Sequence, residues 1–206
     1  KKIESHDTTL AFAALDEKAK PEFSFHRGAD QIIRKEQLEH VGGEEIVHFG
    51  SLPFTNSETA LNLLSFLRST DAKVSFDPNI RNDLMNANYG EILNQVIEHV
   101  DILTAAEEEL EFFGGLRNLR EKTDEIIVTQ GSKGATLITK DQESFIPSED
   151  VEVVDTTGAG DALTGAYLAF REQGKDEALQ KAVKAASIST TSKGAMSALP
   201  RLSELE

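Results

Sequence analysis

The chain has 206 residues, 39% hydrophobic and 28% charged, which is long enough to bury a core and too apolar for wholesale disorder. Its 21 Lys and Arg against 36 Asp and Glu give a net charge of −15, which argues against nucleic acid or an anionic membrane as partner, since both require a basic face. Cysteine is absent, which removes disulfides, thiolate catalysis and cysteine metal sites.

No apolar run reaches the roughly 18 residues of a membrane span. The opening Lys1-Lys2-Ile3-Glu4 has no apolar signal segment behind its lysines. These features predict a cytoplasmic protein whose acidity keeps it soluble and suits a salt-rich medium. An anionic substrate must then be held by local devices: a helix N-terminus, a metal, or one or two arginines. The chain does not begin with Met and drops straight into a strand-like run, so preceding sequence is expected.

Thr8–Leu15 is β-prone. Asp16-Glu17-Lys18-Ala19-Lys20-Pro21 reads as a charged turn, and Phe23-Ser24-Phe25 follows with period-two alternation, so residues 8–27 are expected to form a hairpin. Gly42-Gly43 breaks the chain before Ile46–Phe49, a short buried strand. Thr55 or Asn56 can cap a helix running to Arg68, with Leu61, Leu64 and Leu67 on one face. Lys73–Phe76 is a strand, Tyr89–His99 a helix and Ile102-Leu103 a strand. Ala106–Phe113 is a helix closed by Gly114-Gly115. Glu125–Thr129 is a strand, and Ala135–Thr139 with Glu143–Ile146 an antiparallel hairpin. Val153-Val154 ends a further strand, and helices are expected over Gly160–Phe170 and Glu177–Thr191. This alternation predicts a single α/β domain over 1–206: a mostly parallel sheet with helices on both faces. Ligands of such sheets lie off the carboxyl ends of the strands, here after Phe76, Leu103, Thr129 and Val154.

The chemistry concentrates in Asp155-Thr156-Thr157-Gly158-Ala159-Gly160-Asp161. Gly158, Ala159 and Gly160 leave backbone N–H groups uncovered at a helix N-terminus, which makes an anion cradle from oriented amides and the helix dipole. Asp161 sits at its mouth and can accept a proton from a hydroxyl attacking phosphorus. Arg81 follows a strand end and can bind a phosphate or sugar oxygen bidentately. Gly131-Ser132-Lys133-Gly134 is not a P-loop. The five histidines, at 6, 26, 40, 48 and 99, show no metal-ligand spacing.

The run Asp155–Asp161 resembles the C-terminal signature of the ribokinase/PfkB family of carbohydrate kinases. Ile127–Ala135 resembles the family's strand and turn beside the nucleotide. Phe76-Asp77-Pro78-Asn79-Ile80-Arg81 resembles the Asp-Pro-Asn-x-Arg segment of its fructokinase-like members, and Thr8–Phe12 with Phe23–Arg27 resembles the hairpin that lies near the sugar in fructokinases. The resemblance covers nearly the whole chain and implies a ribokinase-like three-layer α/β sandwich. By it, an N-terminal segment with most of the small β lid, a Gly-Gly signature and a sugar-clamping Asp is expected to lie outside this chain.

The resemblance further implies ATP, Mg²⁺ and K⁺ as cofactors. It makes Asp161 the catalytic base, with Gly158, Ala159 and Gly160 as the anion hole. It places Thr129, Gly131 and Gly134, together with Gly158 and Gly160, at the nucleotide. Arg27, Asn79, Arg81 and Asp161 fall at the sugar. Asp155, Thr157, Ser189, Ser192 and Gly194 fall at a monovalent cation, and Glu109 in the outer shell of Mg²⁺. The family's Asn-x-x-Glu signature is half present: Glu109 stands, and Ala106 replaces Asn. Fructose is the expected substrate, with a 2-keto-3-deoxygluconate or other keto-sugar kinase as alternative and a catalytically silent sugar or nucleotide sensor as a further one. A homodimer through the lid is also implied. A Rossmann dehydrogenase is disfavoured, because no early strand carries Gly-x-Gly-x-x-Gly.

Overall fold

The structure is a computed structural model that describes residues 6–15, 21–39, 41, 43, 45–81 and 84–206. The opening lysines, the turn residues 16–20, His40 and Gly42 lie outside the described residues. The chain gathers into two compact units, one of Lys1–Ala11 and Phe25–Ile126, the other of Phe12–Ser24 and Ile127–Glu206.

Strands β1 (Leu10–Leu15) and β2 (Pro21–His26) form a two-stranded sheet, as expected of the hairpin; Pro21 begins the second strand rather than ending a turn. In the first unit, β3 (Ile46–Gly50), β4 (Lys73–Asp77) and β5 (Ile102–Ala106) lie side by side in that order, parallel throughout. Register pairs Phe49 with Phe76 and Phe76 with Leu103. Their carboxyl ends therefore share one edge, from which the Pro78–Arg81 and Glu107–Glu109 segments emerge. Strand β3 is half-buried rather than buried, with Val47 its one buried residue, because it has a strand neighbour on one side only.

Helix α1 (Lys35–Leu38) is a single turn. Asn56 caps α2 (Ser57–Leu67) by accepting the Thr59 amide at 3.1 Å. The buried stripe of α2 is Ala60, Leu63, Leu64 and Leu67; Leu61, expected on that face, is 69% exposed. It lies one residue past Ala60, about 100° round the helix. The run Tyr89–His99 divides into α3 (Tyr89–Val96) and a 3₁₀ turn (Ile97–His99). Glu107–Phe113 is 3₁₀ rather than α, and Gly114, at φ 79°, closes it in the left-handed conformation. Gly115 then opens α4 (Gly115–Lys122), a helix that the Gly-Gly stop concealed. Leu119, fully buried, anchors α4 among Arg117, Arg120 and Lys122. The core of this unit sets Phe54 edge-on to Phe76, ring centroids 6.3 Å apart, beside buried Leu63, Leu93, Ile97 and Leu103.

Strand β6 (Glu125–Thr129) leads into the second unit. There β7 (Gly134–Thr139) pairs antiparallel with β8 (Glu143–Pro147), Ala135 opposite Ile146, as the expected hairpin. Helices α5 (Ala159–Phe170) and α6 (Lys175–Ser189) pack on each other, and Leu163, Tyr167, Leu179, Ala182 and Val183 fill the core. Val153-Val154 does not form the expected strand. Val153 and Val154 are 50% and 38% exposed, and the Val154 and Asp155 amides both donate to the Thr190 carbonyl, at 2.8 and 3.1 Å. The end of α6, not a sheet ladder, thus holds the loop that enters α5. Among the described residues, no helix is long and apolar enough to cross a membrane.

Candidate active site

The second unit carries the Asp155–Asp161 loop. Gly158 stands at the N-cap of α5 with φ 82°, and a Cβ there would lie 2.8 Å from the Ala195 side chain, so both backbone and space demand glycine. The Ala159 amide donates to the Thr156 carbonyl at 3.2 Å, and the Ala162 amide to the Gly158 carbonyl at 2.8 Å. Among the described residues, the amides of Gly158, Gly160 and Asp161 have no acceptor. The cradle is therefore made by these three amides, with Ala159 already engaged. Asp161 is exposed in the first turn of α5, beside them.

Asp155 ties this loop to the segment after α6. Its Oδ1 accepts the Thr157 amide and its Oδ2 the Gly194 amide, each at 2.9 Å. Hydrogen bonds from the Thr157 side chain and from both amides hold its carboxyl below the usual carboxylate range. Asp155, Thr157 and Gly194 are thus brought together. The Ser189 hydroxyl turns to its own helix, donating to the Ala186 carbonyl at 2.8 Å, and Ser192 is exposed. Among the described residues, no three His, Asp or Glu side chains cluster as metal ligands.

A cavity of 430 Å³ opens in the same unit between Gly131, Gly134, Val151, Ala159, Leu163 and Ala186. Gly134 has φ 123°, and a Cβ on it would lie 2.0 Å from the Ile146 carbonyl oxygen, which explains the glycine after the Gly131–Lys133 turn. Thr129, Gly158 and Gly160 do not line this cavity.

The first unit holds Arg27, Asn79 and Arg81 of the residues expected at the sugar, while Asp161 belongs to the second. Arg27 is a brace: its Nε lies 2.5 Å from Asp30, its Nη1 donates to the Thr55 hydroxyl at 3.1 Å and its Nη2 to the Leu52 carbonyl at 3.2 Å. Asp30 also accepts the Thr9 hydroxyl and the Gly28 amide. Burial pushes the Asp30 carboxyl up, but Thr9, Gly28 and Arg27 outweigh it and hold it below its usual range. Asp30 carries no motif of its own in the sequence; its one signal is an acid three residues after Arg27. Asn79 has φ 35°, the one positive value among described non-glycine residues, and Arg81 follows it half-buried. Glu109 accepts the Ile80 amide on Oε1 at 2.6 Å and the Ala106 amide on Oε2 at 2.9 Å. Tyr89, fully buried, is hydrogen-bonded to Ser51. Burial and the nearby Glu109 charge push its phenol up.

Residues 1–202 match the model of the pfkB family carbohydrate kinases. The chain is 30% identical over 226 residues to Fructokinase-1 of Zea mays, covering 96% of this chain and 70% of that protein. Among solved structures, it is similar to the fructokinase with bound ATP from Xylella fastidiosa. The TM-score is 0.87 at 26% identity, covering 98% of this chain and 73% of that one. It is also similar to the fructokinase from Vibrio cholerae O395 in its fructose-, ADP- and calcium-bound form. There the TM-score is 0.79 at 25% identity, covering 95% and 71%. The chain spans about two thirds of the length of the curated relatives it matches. It has the ribokinase-like α/β fold, and with residues 1–202 matching the family, it belongs to the pfkB carbohydrate kinases.

Proposed function

We propose that the protein carrying this chain transfers the γ-phosphate of ATP to a hydroxyl of fructose. The observation that carries this reading is the exposed Asp161 carboxylate in the first turn of α5, next to the acceptor-free amides of Gly158, Gly160 and itself. Asp161 takes the proton of the attacking hydroxyl. The amides and the dipole of α5 neutralise charge that develops on the phosphoryl group. The 430 Å³ cavity, where Gly131, Gly134, Val151, Leu163 and Ala186 meet polar groups of Ser132, Thr156 and Ser187, takes the base and ribose of ATP.

Mg²⁺ fits as an ion held mainly by the ATP phosphates and water, since the described residues offer no cluster of three acidic or histidine ligands. When bound, it supplies positive charge to the phosphate oxygens. K⁺ is assigned to the Asp155–Thr157–Gly194 corner, where the Asp155 carboxylate supplies negative charge and, by accepting the Thr157 and Gly194 amides, ties the two segments together. Arg81 and Asn79 bind the sugar, and Arg27 braces the segments that carry Asp30, Thr55 and Leu52. Leu10 and Phe12, two apart on β1 and 51% and 61% exposed, support a second copy of the chain as the cover of that strand.

Release of ADP should depend on ATP and on fructose. Turnover with 2-keto-3-deoxygluconate and none with fructose would shift the substrate to a keto-acid sugar. ATP binding without turnover of any sugar would leave a sensor.

A further inference from the structure

The Glu109 carboxylate has both oxygens on backbone amides from two different segments. Oε2 closes the first turn of its own 3₁₀ helix on the Ala106 amide. Alanine has no side chain to cap that helix, so this bond is the side-chain tie at its entry. Oε1 reaches out of the helix to the Ile80 amide at 2.6 Å, a length typical of charge-assisted bonds. Ile80 sits between the two residues proposed at the sugar. Asn79 before it holds φ 35°, a conformation that asparagine tolerates but that needs support from its surroundings. Arg81 after it takes its direction from the same peptide. Both segments leave the same carboxyl edge of the parallel strands β4 and β5, whose register fixes their spacing.

We propose that Glu109 is a positioning residue for the sugar acceptor: by accepting the Ile80 and Ala106 amides, it holds Asn79 and Arg81 in their substrate-facing conformation. This rests on the kinase reading above and adds to it a connection that the sequence motifs, 30 residues apart, do not display. Any effect of Glu109 on Mg²⁺ is then a second role of a carboxylate already committed to the backbone.

The test uses Glu109→Gln and Glu109→Ala in the protein that carries this chain. Gln preserves the shape, but its NH₂ group faces an N–H donor, so one of the two bonds must be lost. With ATP and Mg²⁺ saturating, both variants should raise the KM for the sugar by about tenfold or more, the loss expected of a charged hydrogen bond. The KM for ATP and the half-saturating Mg²⁺ should stay within about twofold. Hydrogen exchange at the Ile80 amide should quicken by about tenfold or more in Glu109→Ala, which removes both acceptors. An unchanged sugar KM with a raised Mg²⁺ requirement would overturn the proposal, and so would unaltered Ile80 exchange in a folded Glu109→Ala protein. If the wild type releases no ADP with any sugar, the kinase reading falls, and Ile80 exchange in Glu109→Ala still decides whether Glu109 positions the loop.

Discussion

Asp161 and Gly158 stand three residues apart on α5, and their substitutions should fail differently. Asp161→Asn keeps the shape and removes the proton acceptor. Turnover should fall by about 100- to 10,000-fold, the usual contribution of a positioned base, with ATP affinity unchanged by calorimetry. Gly158→Ala places a Cβ 2.8 Å from that of Ala195 and forces alanine to φ 82°. It should lower the midpoint of thermal unfolding, with about 1–3 kcal/mol lost through the strained backbone alone. Adding Ala195→Gly should restore part of the loss, because it relieves the contact and leaves the dihedral. A double variant no more stable than Gly158→Ala would mean that the contact carries no cost.

Asp161 and the small-residue loop were legible in the sequence because their chemistry is local: a carboxylate and three small residues at one helix start. Arg27 was legible only as a cation. Its commitment to Asp30, Thr55 and Leu52 depends on segments up to 28 residues away, which one-dimensional spacing cannot bring together.

Among the elements, the turn at 27–30 and the corner at 155–194 are each fastened by one carboxylate. The Asp30 carboxyl is held below its usual range in the folded protein. Its ionised form therefore favours the fold above the unfolded value of about 3.9, and that stability disappears as pH falls through the lower folded value. Asp30→Asn should be less stable than wild type at neutral pH, and the difference should narrow under acid in chemical denaturation at each pH. A gap that is constant down to strongly acidic pH would exclude the charge as its source.

At the second corner, Asp155→Ala removes the acceptor of the Thr157 and Gly194 amides. It should blunt the stimulation of turnover by K⁺ at fixed ionic strength. Equal wild-type rates in K⁺, Na⁺ and tetramethylammonium would remove the cation from this corner. The strand expected at Val153-Val154 is absent for a tertiary reason. Val153-Val154 has the β propensity of a strand, but its backbone partner is the Thr190 carbonyl at the end of α6, a tertiary tie that propensity does not encode. Helix α4 was concealed for the opposite reason: one buried leucine among charged residues gives almost no apolar periodicity.

For the molecule as a whole, a net charge of −15 opposes the approach of an anionic nucleotide and strains the folded state through self-repulsion. Added salt should therefore raise the thermal midpoint as screening lengths shorten to about 8 Å near physiological ionic strength. The fold class was legible because strand-helix alternation and the hydrophobic spacing of α2, α3 and α6 extend through most of the chain. The division of labour between amides, carboxylates and cavity was not, since it depends on which backbone groups remain without partners. In the proposed reaction, an acceptor-free amide cradle and Asp161 together make a sugar kinase. Sugar-dependent ADP release, measured with fructose and ATP on the wild type and on Asp161→Asn, tests it most directly. Fructose-dependent turnover is expected in the wild type, and its near abolition in a folded variant that still binds ATP. Turnover in Asp161→Asn at half the wild-type rate or more would contradict it.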